Sequence, residues 1–213
     1  MYSASGMIKT LIFDLGGVVI SHKKDLMPVL IGETFHIGTE NAREIWRRHK
    51  DALLTGELPS GDFLQKIKVE TGSSDTMHSL MDLWKRLYER DALGINTELL
   101  SLISKLRKKY AVYLLTDTLD VHHAFNEERG VYSHFDGAYY SHLEGKSKSQ
   151  GERTFNDFLK KFSLRAHECV FTDDMEAYVE IAQRLGIHGI VFTSNADFLK
   201  QLTGILSEAN RTP

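Results

Sequence analysis

The sequence predicts an α/β protein: a Rossmann-like parallel sheet covered by helices on both faces, with a small α-helical domain inserted after the first strand. Three observations lead there. An apolar run, Ile8 to Phe13, ends in Asp14 and is followed by Gly16-Gly17, the pattern of a buried parallel strand that delivers a carboxylate to a sharp turn. The stretch from 22 to 91 reads as one helix after another with no strand between them. From Thr97 onward, short apolar runs alternate with amphipathic helices, and right-handed crossovers turn such alternation into a parallel sheet. The expected division is therefore 1–21 with 92–213 as the α/β core, and 22–91 as the helical insertion.

Each element has its own signal. In the insertion, Thr39 is placed to cap a helix whose apolar positions are Ala42, Ile45, Trp46, His49 and Leu53. Ser60 opens a second helix with Phe63, Leu64 and Ile67 inward, and Gly72 stops it. A third runs through Met77, Leu80, Met81, Trp84, Leu87 and Tyr88. In the core, Thr97 is placed to cap a helix bearing Leu99, Leu102, Ile103 and Leu106, with Lys108 and Lys109 suiting its C-terminal dipole. Ala111 to Leu115 is the next strand and runs into Thr116-Asp117-Thr118. A helix then reaches Gly130, a short strand around Ala138-Tyr139-Tyr140 ends at Ser141, and Phe155, Phe158, Leu159 and Phe162 mark another helix. Val170-Phe171-Thr172 is a strand ending in Asp173-Asp174; Tyr178, Ile181, Ala182 and Leu185 form a helix closed by Gly186, and Ile187 to Phe192 is the last strand.

Composition narrows the class. The 213 residues are enough for one large domain or one domain with an insertion. With 26 basic and 29 acidic side chains the formal charge is −3, which gives no basic surface for nucleic acid or an anionic membrane. Cys169, the single cysteine, lies in an apolar run and reads as a buried, reduced thiol. No stretch approaches the roughly 20 apolar residues of a membrane span. The start, Met1 to Gly6, lacks the basic and then apolar pattern of a secretory signal and reads as a short frayed tail. A cytoplasmic protein, monomer or homodimer, is the expectation.

If the strands are parallel, their carboxyl ends gather Asp14, Thr116, Lys148 or Lys146, and Asp173-Asp174. Two like charges about 4 Å apart cost about 4 kcal/mol at an effective dielectric of about 20, so three carboxylates in one cleft call for a cation. Mg2+ takes oxygen ligands and usually keeps waters and a substrate phosphate. A strand-end hydroxyl and a lysine supply donors to phosphoryl oxygens, and a carboxylate can attack phosphorus. The pattern is that of a phosphoryl-transfer site.

The order Phe13-Asp14-Leu15-Gly16-Gly17-Val18, then Leu114-Leu115-Thr116-Asp117-Thr118, then Ser141 with Gly145 and Lys148, then Phe171-Thr172-Asp173-Asp174 before a helix and Leu185-Gly186-Ile187, resembles the haloacid dehalogenase-like (HAD) hydrolases. The resemblance runs over nearly the whole chain from Met7 and makes the 22–91 insertion the cap domain of that family. It implies that Asp14 is the nucleophile and a Mg2+ ligand, and that Gly16 offers its backbone carbonyl to the metal. It further implies that Thr116, Asp117 and Lys148 hold the phosphoryl group, and that Asp173 and Asp174 complete the metal site. The implied reaction is hydrolysis of a small phosphorylated metabolite through an aspartyl-phosphate. The resemblance extends to 2-haloacid dehalogenases, and a silent member that only binds a phosphorylated ligand or a protein is the third reading.

Three positions depart from the family's phosphatases. Gly16 stands where a second Asp usually serves as general acid and base, a contribution of about 10²–10⁴ in rate. Asp117 stands where Asn is common. Lys148 is followed by Ser149-Gln150-Gly151 rather than the usual Lys-Pro-acid-Pro, which leaves Lys146 as an alternative. Other tempting residues have plain structural readings. His22 and the pair His122-His123 could stand in for the missing acid, but read as surface or packing histidines. Arg47-Arg48-His49-Lys50 and the stretch from Lys105 to Lys109 read as solvated helix faces. Trp46 and Trp84 read as packing within the inserted helices.

Overall fold

A computed structural model describes residues 7–23, 25–92 and 94–209. The expected tail, Met1 to Gly6, lies outside the described residues. Strand β1 (Thr10–Phe13) is buried along its whole length. It pairs in parallel with β4 (Ala111–Thr116) on one side and with β6 (Cys169–Asp173) on the other. Outside these lie β5 (Gly137–Tyr140) and β7 (His188–Val191), both parallel, giving the order β5-β4-β1-β6-β7. The chain leaves the central strand in both directions, so a crevice opens at its carboxyl end, where ligands of such sheets sit.

Alternation of side chains along the strands builds two cores. Leu11, Phe13, Val112, Leu114 and Val170 face one layer, while Ile12, Leu115, Cys169 and Phe171 face the other. The first layer holds α5 (Thr97–Leu106), α6 (Asp120–Glu128) and α10 (Asn195–Ala209), with Phe198 of α10 at 5.4 Å from the Phe13 ring. The second holds α8 (Glu152–Lys161) and α9 (Glu176–Arg184), where Phe155 meets the Phe171 ring edge to face at 5.1 Å. Helix α7 (Ser141–Glu144) is a single turn that follows β5.

Between β1 and β4 the chain forms β2 (Ile20–Ser21), then α1 (Leu26–Phe35), α2 (Thr39–Leu54), α3 (Ser60–Thr71) and α4 (Met77–Asp91), then β3 (Gly94–Ile95). β2 and β3 pair antiparallel, so the strands leading out to the four helices and back lie side by side. Lys23 and Asp91 reinforce this junction by a backbone bond of 3.1 Å and an ion pair of 2.5 Å. The helices rest on the core through α6 and α7: Asp120 accepts from the Ser60 N–H at 3.2 Å, and a Cβ at Gly56 would strike the His142 carbonyl.

The structure differs from the sequence reading in several elements. Among the described residues the insertion holds four helices rather than three. Helix α1 escapes periodicity because Leu26 to Ile31 is apolar at every position, with Pro28 accommodated in the first turn. Helix α10 extends beyond the last element read from the sequence, although Phe198 and Leu202 carry its i, i+4 signal and are buried. Thr39 and Thr97 are first helical residues rather than caps: Gly38 precedes α2, and Asn96 caps α5 by accepting from the Leu99 N–H at 3.0 Å.

Candidate active site

The chain after β1 turns on Gly16 and Gly17. Gly17 has φ +74°, and a Cβ there would overlap the Asp174 carboxylate, so a glycine lets the ends of β1 and β6 come this close. Gly16 keeps ordinary φ, and its carbonyl accepts no backbone hydrogen bond among the described residues. Oxygen atoms of Asp14, Asp173 and Asp174, one from each, lie within 4.8 Å of one another. Such an all-oxygen set, with an unclaimed carbonyl beside it, suits a hard divalent cation.

Lys148 is 2 % exposed, and its Nζ lies 3.0 Å from Asp14 and 2.6 Å from Asp173. It also sits 4.8 Å above the Tyr178 ring, a side chain the sequence reading treated only as part of a helix. Burial by itself would lower its pKa, yet the carboxylates of Asp14, Asp173 and Asp117 together raise it, so it is a fixed cation. Its backbone is held as well: the Lys148 N–H donates to Asp117 at 2.9 Å, which anchors the short 3-10 turn Lys148–Gln150. The Asp117 carboxylate thus faces the lysine loop. Lys146 is elsewhere, paired with Asp157.

Burial raises the pKa of Asp14, Asp117 and Asp174. In all three the neighbouring Asp173 adds to the rise, while Lys148 opposes it. One Asp173 oxygen accepts from the Met175 N–H at 2.8 Å, just ahead of α9, and the other faces Lys148. Thr116 is 1 % exposed at the end of β4, and its hydroxyl has no partner among the described residues. The loop after it is pinned by Ser141, whose Oγ accepts from the Thr118 N–H at 3.0 Å. This anchoring role of Ser141 had no signal beyond its place at a strand end.

The expected site residues thus converge on one cavity of about 430 Å³, lined by Asp14, Gly16, Thr116, Asp117, Lys148 and Asp174. Asp173 joins them through Lys148. His22 lines the same cavity, and a Cβ on Gly16 would lie 3.4 Å from its Nε2, so the imidazole borders the space a side chain at Gly16 would enter. His122 lines it too, whereas His123 bonds to His142 at 3.1 Å. Trp84 is core, as expected, but Trp46 borders the cavity.

Known proteins share this fold. The chain is 24% identical over 213 residues to a D-ribitol-5-phosphate phosphatase of Bacteroides thetaiotaomicron, covering 94% of this chain and 100% of the relative. Its fold matches the HAD family enzyme bt-2542 of the same organism, solved in complex with magnesium and inorganic phosphate, with TM-score 0.74 and 26% identity over 88% of this chain and 96% of that one. A HAD-like family hydrolase from Porphyromonas gingivalis superposes with TM-score 0.78 and 25% identity, covering 98% of this chain and 100% of its own. A 2-haloacid dehalogenase from Pseudomonas syringae pv. Tomato DC3000, 17% identical with TM-score 0.65 over 95% of this chain and 99% of that one, shares the fold. No family model matches the chain. The protein is a hydrolase of the haloacid dehalogenase-like superfamily.

Proposed function

We propose that the protein is a Mg2+-dependent phosphomonoesterase acting on a small phosphorylated metabolite, with residues 22–91 as the cap over its active site. The observation that supports this most is the meeting of Asp14, Asp173 and Asp174 oxygens within 4.8 Å, with the Lys148 ammonium against two of them. In this reading Asp14, Asp173, Asp174 and the Gly16 carbonyl hold Mg2+, which supplies positive charge against the phosphoryl oxygens. Lys148 Nζ and the unpartnered Thr116 hydroxyl donate to the same oxygens, and Asp117 positions Lys148 through its backbone.

A carboxylate oxygen of Asp14 attacks phosphorus, the bond to the ester oxygen breaks, and the alcohol portion departs. Water then attacks phosphorus in the aspartyl-phosphate, releasing inorganic phosphate and freeing Asp14. Gly16 has no group to protonate a departing alkoxide, so acyl and aryl phosphates turn over faster than alkyl phosphates. The cap limits water and chooses the leaving group.

The test is phosphate release from acetyl, aryl and alkyl phosphates, with Mg2+ and with EDTA, beside an Asp14→Asn control. Release that survives both EDTA and Asp14→Asn would end this reading. The missing carboxylate at Gly16 also favours a dehalogenase as the second reading, and chloride release from 2-chloropropionate in EDTA would install it instead. Binding of phosphate that depends on Mg2+, with no turnover of any ester, would point to a silent member. No helix among the described residues is long and apolar enough to cross a membrane. We place the protein in the cytoplasm, where its buried Cys169, with a thiol pKa pushed up to about 12 by burial, stays reduced.

A further inference from the structure

The cavity that begins at Asp14 and Lys148 ends against the inserted helices, and the two ends differ in character. The far wall is made by Leu26, Met27 and Pro28 of α1, Trp46 and Leu54 of α2, and Leu119 of the loop after β4. The polar groups on that side are few and each has one partner. Asp25 pairs with Arg43 at 3.0 Å, and the Tyr88 hydroxyl accepts from Asn126 at 3.0 Å. His22, near Gly16, has its Nδ1 3.1 Å from the Lys23 carbonyl.

His122 is the one whose free group has a fixed direction. Its Nε2 lies 3.0 Å from the Trp84 indole nitrogen, and because an indole N–H only donates, Nε2 accepts and the ring is neutral with its proton on Nδ1. The ring is 6 % exposed and stacked on Tyr88 with centroids 3.8 Å apart, which fixes its direction. Burial lowers its pKa to about 3, so it keeps that tautomer through the working pH range. Its Nδ1–H meets no acceptor among the described residues, while the ring lines the cavity. A largely apolar wall therefore carries an unclaimed donor whose direction is fixed by the ring that bears it.

We propose that the enzyme selects phosphate esters whose alcohol portion is largely apolar, aromatic or branched, with a single hydrogen-bond acceptor placed to take the His122 Nδ1–H. This rests on the phosphomonoesterase reading and names its substrate class. A polyol phosphate such as D-ribitol 5-phosphate brings four free hydroxyls to a wall built mainly of Leu26, Met27, Pro28, Trp46, Leu54 and Leu119, with too few polar groups to pair them all. Each hydroxyl left without a partner weakens binding by about tenfold. The contrast between polyol and apolar ester is thus expected to be large.

The experiment compares 3-phenylpropyl phosphate with D-ribitol 5-phosphate. Both are esters of primary alcohols, so the difference reads binding of the leaving group rather than its departure. Acetyl phosphate, which barely reaches the wall, reports the chemistry alone. The expected result is kcat/KM at least about tenfold higher for the phenylpropyl ester, and a ratio that falls at least about fivefold in Trp46→Ser. If the esters turn over too slowly, their inhibition constants against acetyl phosphate hydrolysis give the same comparison. Equal or better use of the ribitol ester overturns the inference while leaving the phosphomonoesterase reading intact. Failure to hydrolyse acetyl phosphate overturns that reading instead.

The acceptor is tested with 5-phenylpentyl phosphate by replacing the third, fourth or fifth methylene from the phosphate with oxygen, one at a time, which gives three stable ethers of primary phosphate esters. One position is expected to bind about tenfold tighter than its neighbours in the wild type and to lose that advantage in His122→Phe. No preferred position in the wild type, or one that persists in His122→Phe, would overturn the role given to His122.

Discussion

Two adjacent glycines carry opposite expectations. Gly17→Ala places a methyl group into the Asp174 carboxylate on a backbone of φ +74°, so it strains the turn and displaces a proposed metal ligand. Phosphate release is expected to fall at least about a hundredfold, as for a misplaced reacting group. Retention of wild-type turnover would sink the assignment of Asp174. At Gly16 a Cβ meets only His22, at 3.4 Å, so Gly16→Asp fits the backbone and supplies the missing carboxylate. Turnover of alkyl phosphates is expected to rise about 10²-fold with little change for acetyl phosphate. A rise of the same size for both would show that leaving-group protonation is not what Gly16 forgoes. His122 gives a third expectation. Its folded pKa of about 3 lies below the ordinary 6.5, so between those values the unfolded chain binds more protons and stability falls as pH drops. The limiting slope is about 1.4 kcal/mol per pH unit, and it should flatten in His122→Phe. Equal slopes in urea melts of the two proteins between pH 6.5 and 5 would contradict it. At this scale the sequence was most legible where chemistry is local: Asp14, Thr116 and Asp173 follow strands that announce themselves. Choosing Lys148 over Lys146 needed the fold, because one lies against two carboxylates and the other against Asp157.

Among elements, the junction between the sheet and the inserted helices decides how the cavity is walled. Asp91, fully buried at the end of α4, accepts from Arg90 at 2.5 Å and from Lys23 at 2.5 Å across the paired strands β2 and β3. Hydrogen bonding to Arg90, with Lys23 helping, holds its carboxyl below the ordinary value of 3.8. Its contribution is therefore complete above about pH 4 and is lost as pH falls through the depressed folded value. Asp91→Ala is expected to cost about 1–3 kcal/mol at neutral pH, measured by urea denaturation. A loss that is as large at pH 2.5 as at pH 7 would mean that packing, not charge, accounts for it. Amphipathic helices were readable from their spacing, as α3 and α4 are, but α1 was not. Six apolar residues in a row at its start, Leu26 to Ile31, show no stripe, and only the helix's position between the cavity and the other helices explains them.

Across the whole molecule, stability and site are coupled through charge. Asp14, Asp173, Asp174 and Asp117 share one lysine, so the folded state gains when a cation is added. At a Mg2+ concentration about 100 times its Kd, the folded form should be stabilised by about 2.7 kcal/mol. Thermal melts with and without Mg2+ should show that gain in the wild type and lose most of it in Asp174→Asn, and an equal gain in both would remove Asp174 from the ligand set. The sequence by itself determined the parallel sheet, the helical stretch after β1 and the acidic residues at the strand ends. Apolar periodicity and strand-end carboxylates are properties of neighbours along the chain. Only the tertiary structure decided that Lys148 rather than Lys146 joins the carboxylates, and that α1 and Trp46 face the cavity. It alone left His122 with one donor to spare. Those outcomes depend on which side chains meet across more than a hundred residues of sequence, or across two packed helices, and no local pattern records such meetings.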